Sequence, residues 1–279
     1  MRLINSYQLG WFSTGRDKAA RDLLTVAQRS IALGEIRAEI AFVFCNREPG
    51  ESPETDLFLK LVGSYGIPLV CFSYQKFKSA RGMPNPRPGE PLPQWRLDYD
   101  REVMKRLPVL RPDLCVLAGY MLITGKEMCQ QYNIINLHPA APGGPKGSWQ
   151  EVVWQLINNQ AGETGVMMHL VTPELDQGPP VTYCTFPIRG KPFDKYWDEI
   201  AGHPVDEIKN RQGENNLLFQ LIRKHGLARE FPLIIATLKA FSQGKVKITK
   251  GKVVDAEGKP IKGYNLTNEI DKQLKGGGR

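Results

Sequence analysis

Asn136-Leu137-His138-Pro139 sets an amide and an imidazole two residues apart. On an extended chain such residues share one face, and Pro139 biases His138 away from helical geometry. An amide donor beside a titratable ring suits a developing oxyanion together with a proton transfer. The alternative is a polar strand end with satisfied hydrogen bonds. Asp176 lies in Thr172-Pro173-Glu174-Leu175-Asp176-Gln177-Gly178-Pro179, between two apolar segments. Its carboxylate could orient His138 and favour the imidazolium, or it could be ordinary turn chemistry before Gly and Pro. His169, on the preceding apolar segment, is either pocket lining or a core histidine.

Ser13-Thr14-Gly15-Arg16-Asp17-Lys18 runs from an apolar strand into a helical pattern. Cations at a helix N-terminus oppose the macrodipole, so Arg16 and Lys18 make sense beside a bound anion such as phosphate. In the alternative, Asp17 already offsets the field. The loop has one glycine, so neither the dinucleotide fingerprint nor the P-loop is present. H-E-x-x-H and G-x-S-x-G are also absent, and the histidines at 138, 169, 203 and 225 are scattered, so no metal is expected.

The elements that would position these groups alternate between strand and helix. Ile40–Cys45, Pro68–Phe72, Leu114–Ala118 and Ile134–Leu137 read as buried strands. Ala20, Leu23, Leu24, Ala27 and Ile31 mark a helix stopping near Gly34, and Leu57, Leu61, Val62 and then Val103, Leu107 mark two more. The expected class is α/β: a Rossmann-like, open, mostly parallel sheet with helices on both faces. Ser148 and Glu151 form a capping box for another helix, with strands following at Thr164–Thr172 and Val181–Ile188. Two helices around Leu217–His225 and Phe231–Ser242 come next. A hairpin of Lys245–Val254 and Pro260–Tyr264, turning on Asp255–Gly258, closes the pattern. Ser79–Pro93 and Lys191–Asn216 are too polar and too long for ordinary connections, so each reads as a lid, insertion or interface element. A single domain, 1–279, is expected, with a core at 1–190 and C-terminal helices and hairpin or tail at 191–279.

Composition narrows the function classes. The 279 residues are 41% apolar and 24% charged, enough for a sizeable core. No apolar run reaches a membrane span, and the first residues lack a signal-peptide core. The five cysteines contain no C-x-x-C pair, which argues against a disulfide framework or zinc ribbon. A reduced, cytoplasmic, globular protein is expected, without nucleic-acid or membrane partners. The net charge of +8 is concentrated in Lys245–Arg279, where nine basic residues face four acidic ones. A solvated C-terminal tail is the preferred reading of that excess over a polyanion-binding surface.

Taken together, these residues resemble the 10-formyltetrahydrofolate-dependent formyltransferases, and most closely the phosphoribosylglycinamide branch. Asn136, His138 and Asp176 are similar to the family's catalytic constellation, and Leu170–Pro179 to the loop carrying its Asp. Trp95–Glu102 resembles its R-x-x-Y-D-R-E segment, Ala118-Gly119-Tyr120-Met121 its A-G-[FY]-M folate loop, and Phe231–Ile234 its last helix. The resemblance implies 10-formyltetrahydrofolate as co-substrate, bound through Arg96, Met121, Leu122, Ile123, Thr124, Val171 and Glu174. It implies Ser13, Thr14, Gly15 and Arg16 as phosphate ligands, with weaker acceptor contacts at Pro139, His169 and Glu230. It further implies small-molecule substrates, with 5'-phosphoribosylglycinamide of purine biosynthesis as the expected acceptor. An amino-sugar or sugar-nucleotide acceptor, and a folate-binding homologue without turnover, are the alternatives. A homodimer is left open. The departures fall on the acceptor side. The family's G-x-G-S-N is Thr14-Gly15-Arg16-Asp17-Lys18 here, its Arg after the folate-loop Met is Leu122, and its acidic residue before the last helix is Leu227, with Glu230 nearby.

Overall fold

The structure, a computed structural model, describes residues 6–82, 92–109, 111–174 and 177–276. Its contacts gather into two compact units, Met1–Asn136 with Leu170–Gly178 and Leu137–His169 with Pro179–Arg279.

In the first unit the chain runs β1 (Tyr7–Ser13), α1 (Lys18–Ala32), β2 (Ala38–Cys45), α2 (Pro53–Ser64), β3 (Leu69–Cys71), α3 (Tyr74–Ser79), α4 (Gln94–Arg106), β4 (Leu114–Leu117), α5 (Lys126–Gln131) and the start of β5 (Ile134–His138). The strands lie in the order 3-2-1-4-5, every pair parallel. This is the doubly wound pattern, in which ligands bind beyond the carboxyl ends of the strands. Near-continuous apolar strands make it possible: β1 buries Leu9, Trp11 and Phe12, and β2 buries Phe42, Val43 and Phe44. Helix α1 buries Ala20, Leu23, Leu24 and Ala27 on one face and ends at Gly34, whose φ of 74° suits glycine. Rings dominate the core, with Phe72 stacked on Tyr99 at 5.1 Å and Phe12 edge-on to Phe42 at 5.8 Å.

The second unit adds α6 (Trp149–Asn158), β6 (Glu163–Leu170), β7 (Pro180–Pro187), α7 (Asp194–Ile200), α8 (Val205–Gln212), α9 (Leu217–Ser242), β8 (Val246–Thr249), β9 (Lys252–Asp255), β10 (Tyr264–Asn265) and α10 (Thr267–Gly276). Strands β6 and β7 are antiparallel, and β10 joins β7 in parallel. The mostly parallel sheet expected from sequence is therefore present. Ser148 and Glu151 form the expected capping box on α6. Trp154, Phe186, Phe193, Trp197 and Phe219 centre the apolar cluster of this unit. No helix among the described residues is long and apolar enough to cross a membrane.

Gly165 lets β6 and β7 close, because a Cβ there would sit 2.2 Å from the Cys184 carbonyl oxygen. Gly165→Ala is therefore expected to cost about 1–3 kcal/mol through forced strand separation. Denaturant unfolding measures it, and an unchanged midpoint would mean the strands part freely at that point.

Three expectations need correction. The two helices around Leu217–His225 and Phe231–Ser242 are one 26-residue helix, α9, with Pro232 inside it. The helix runs on beyond Pro232 to Ser242, and this last stretch buries Leu233, Ile234, Leu238 and Phe241, whose packing outweighs the lost N–H. The terminal hairpin turns at Lys250-Gly251, both at positive φ (50° and 72°), so Lys245–Val254 is not one strand but parts of β8 and β9. The turn expected at Asp255–Gly258 also forms, and leads into a Val254–Pro260 bridge. Lys191–Asn216, read as a lid, insertion or interface element, holds α7 and α8, anchored by buried Trp197 and Ile208. Finally, Lys245–Gly276 is not a solvated tail: β10 pairs with β7, and α10 buries Ile270. Within Ser79–Pro93, residues 83–91 lie outside the described residues.

Candidate functional site

Asn136 and His138 stand on β5 at alternate positions, as their spacing requires. His138 is 2% exposed. Its Nε2 lies 2.9 Å from the Pro145 carbonyl oxygen, which can only accept, so Nε2 carries the hydrogen. The buried His169 ring stands nearly perpendicular to it, centroids 6.2 Å apart, so the two imidazoles are neighbours. Pro139 is half-buried just beyond. Pro145 was not anticipated; only its place six residues after Pro139 in a Gly/Pro-rich turn hinted at it.

Asp176 and Leu175 lie outside the described residues. The loop that carries them begins beside β5, where the Val171 N–H donates to the Ile134 carbonyl at 2.7 Å. Glu174 is held in that loop through its carbonyl, which accepts from Thr172 Oγ1 (3.0 Å) and Gln177 N–H (3.3 Å).

Arg96 is almost fully buried on α4. Its Nη2 donates to Asp100 Oδ1 at 2.7 Å and to the Ile123 carbonyl at 2.6 Å. Asp100 Oδ2 accepts from the Gly125 N–H at 2.7 Å. One ion pair thus grips the 118–125 loop at two points, and the loop carries Met121, Leu122, Ile123 and Thr124. Burial pushes the Asp100 carboxyl above its ordinary range, opposed by the Arg96 charge and the Gly125 N–H. Arg96 Nε and Nη1, Thr124 Oγ1 and Tyr120 Oη are buried without a hydrogen-bond partner among the described residues. Buried polar groups seek partners, so these orphans fit a ligand rich in hydrogen-bonding edges, as a folate ring is.

In the β1–α1 turn most polar groups already have partners inside the protein. Ser13 and Thr14 are buried, and their hydroxyls are already engaged: Ser13 Oγ accepts from the Gly15 N–H (3.1 Å) and Thr14 Oγ1 from the Met121 N–H (3.0 Å). The Thr14 N–H donates to the Gly119 carbonyl at 3.1 Å. Gly15 has φ 59°, and a Cβ there would lie 2.9 Å from Phe58. Asp17 caps α1, its Oδ1 accepting from the Ala20 N–H at 3.1 Å, and its Oδ2 lies 3.4 Å from Arg16. Lys18 pairs with Asp22 at 2.6 Å. Arg16 remains exposed.

Glu230 is committed as well: it accepts from Arg223 at 2.6 Å, while Leu227 on the same helix is exposed. The geometry gives Glu230 a structural partner instead of an open carboxylate.

None of the five cysteines is a poised nucleophile. Burial raises the thiols of Cys45 and Cys129 to about 12 and of Cys71 and Cys184 to about 11, and pushes Cys115 upward too.

The parallel 3-2-1-4-5 order, with Asn136 and His138 at the end of β5, belongs to a known class. A family profile described as formyl transferase matches residues 19–191, well over half of the chain, and the chain belongs to that family. Among its relatives, the phosphoribosylglycinamide formyltransferase of Escherichia coli K12 is 28% identical over 169 residues, covering 60% of this chain and 67% of the relative. The enzyme of that name from Schizosaccharomyces pombe is 33% identical over 100 residues, 33% of this chain, which spans about half (48%) of that relative's length. The solved phosphoribosylglycinamide formyltransferase of Coxiella burnetii shares the fold at a TM-score of 0.60 and 21% identity, over 94% of this chain and 99% of that one.

Proposed function

We propose that this member of an enzyme family transfers a formyl group from 10-formyltetrahydrofolate to the amine of a phosphate-bearing acceptor, 5'-phosphoribosylglycinamide. The observation that carries the reading is the Asn136–His138 pair on one strand end, inside the stretch matched to the formyl transferases. The acceptor amine attacks the formyl carbon directly, consistent with thiols held in their neutral form. Asn136 and protonated His138 stabilise the oxyanion of the tetrahedral intermediate. Asp176 holds His138 in its charged form and takes the amine proton, directly or through water. The intermediate then collapses, expelling the folate nitrogen with a proton. Arg96, the Met121–Thr124 backbone, Val171 and Glu174 hold the folate. His169 and Pro139 shape the acceptor side, and cytoplasm is the compartment that fits this reaction.

The test is turnover followed by absorbance of the deformylated folate, with glycinamide ribonucleotide as acceptor and water as blank. Turnover that requires the ribonucleotide supports the assignment. Turnover only with an amino-sugar phosphate or sugar nucleotide would keep the chemistry and replace the acceptor, a second reading favoured by Asp17 and Lys18 standing where the family has Ser and Asn. Folate binding without turnover on any amine would sink the catalytic reading. Asp176→Asn is expected to lower kcat by about 10² with the fold intact; near-normal turnover would remove Asp176 from the mechanism.

A further inference from the structure

The sequence places acceptor phosphate at the start of α1, but that position is filled. Asp17 puts a carboxylate on the helix N-terminus and satisfies the Ala20 N–H. Arg16 and Lys18 are both neutralised by acids, Asp17 and Asp22. A phosphate dianion there would meet a like charge at a helix end already compensated.

Next door, the chain leaving β2 offers the opposite situation. Arg47 is half-buried, and the partner of its guanidinium is a neutral hydroxyl, Thr55 Oγ1, at 3.3 Å. No carboxylate lies within ion-pair distance of it among the described residues; the adjacent acids Glu48 and Glu51 pair with Lys76 instead, at 2.7 and 3.9 Å. Thr55 Oγ1 in turn donates to the Thr14 carbonyl at 3.4 Å, which fixes the guanidinium to the β1–α1 turn. Asn46 joins the same turn, its N–H donating to the Ser13 carbonyl at 3.3 Å. The Asn46 side chain is wholly buried, and both its amide oxygen and nitrogen lack a partner among the described residues. Such a group is costly when unsatisfied and gains when a ligand supplies the missing bonds. A guanidinium with no carboxylate partner among the described residues and an orphaned amide, on the two residues that follow β2, have the chemistry of an oxyanion site at the position where doubly wound sheets bind ligands.

We infer that Arg47, with Asn46 beside it, is the principal ligand for the acceptor's phosphate monoester, and that Asp17 keeps the anion off the helix N-terminus. The inference deepens the acceptor reading above and rests on it only for the identity of the molecule, since inorganic phosphate probes the site without it. The guanidinium fork takes two phosphate oxygens, and the Asn46 amide donates to a third.

The experiment uses the full chain and its Arg47→Gln, Arg47→Lys, Arg16→Gln and Asp17→Asn variants. Gln at 47 keeps a donor for Thr55, and Asn at 17 keeps a helix cap, so both turns retain their local bonds. Binding of inorganic phosphate is titrated by calorimetry, and KM for glycinamide ribonucleotide is measured apart from kcat. Arg47→Gln is expected to weaken phosphate and raise KM by about 10–100-fold, with kcat changed far less. Arg47→Lys falls between, having the charge without the fork. Arg16→Gln changes KM less than Arg47→Gln, and Asp17→Asn tightens phosphate. Equal phosphate binding by wild type and Arg47→Gln, or no phosphate binding by wild type at millimolar concentrations, overturns the site. Loss of phosphate binding in Arg47→Gln without any turnover of the ribonucleotide overturns the acceptor and leaves the anion site standing.

Discussion

His138→Gln is expected to lower kcat by about 10²–10⁴ while leaving thermal stability nearly unchanged. Nε2 donates to the Pro145 carbonyl, and a glutamine amide can reach the same acceptor, so the local fold keeps its bond. What glutamine lacks is a titratable site, so it can neither carry the positive charge that stabilises the oxyanion nor pass a proton. Both losses are felt only in the transition state, so kcat and kcat/KM should fall together and KM should move little. Steady-state kinetics over both substrates, with a melting curve beside them, decide it. A kcat within threefold of wild type would leave His138 as a strand-end polar residue and nothing more.

Arg96→Leu is expected to destabilise the protein by about 3–5 kcal/mol. Both partners of its ion pair are nearly inaccessible to water, at 3% and 2% side-chain exposure, so solvent screening gives little relief. Removing the guanidinium strands Asp100, whose carboxyl burial already pushes upward, and releases the Ile123 carbonyl. Denaturant unfolding reads the loss. Arg96→Leu combined with Asp100→Asn should recover part of it, because the neutral amide no longer leaves a buried charge while its oxygen can still accept from Gly125. Folate affinity should stay low in the double variant, because the unpartnered N–H groups of Arg96 are gone. A single variant losing less than 1 kcal/mol would mean the pair contributes little to holding the 118–125 loop.

The sheet was legible because its strands are written as short apolar runs, and the strand-end pair was legible because Asn136 and His138 carry their geometry in a spacing of two. Elsewhere local signals misled. Pro232 and the polar Arg229-Glu230 before it read as a helix break, although the apolar residues on either side pack as one continuous α9. Helices α7 and α8 each bury few residues, Trp197 and Ile208, too few to leave a periodic pattern among prolines, glycines and charges. The Lys250-Gly251 turn has no Asn or Asp to announce it, whereas the Asp255–Gly258 stretch does. In the candidate site, residue types singled out loops, but not how the groups on them are spent. Nothing in Ser13-Thr14 says that both hydroxyls will close bonds inside the protein, or that Thr55, forty-one positions away, will tie Arg47 to that turn.

The Thr14 contacts have an energetic corollary. Through its Oγ1 and its own N–H, Thr14 joins the turn after β1 to Met121 and Gly119 of the loop gripped by Arg96. The loop is expected to receive folate, and the turn is tied through Thr55 to Arg47, the inferred phosphate ligand. Any displacement that folate imposes on residues 119–121 is therefore transmitted to the turn, and the free energy of that displacement enters both equilibria. Linkage then requires reciprocity: whatever factor bound folate applies to the acceptor's dissociation constant, bound acceptor applies to folate's. Thr14→Val, which keeps the shape and deletes the oxygen, should bring that factor toward one.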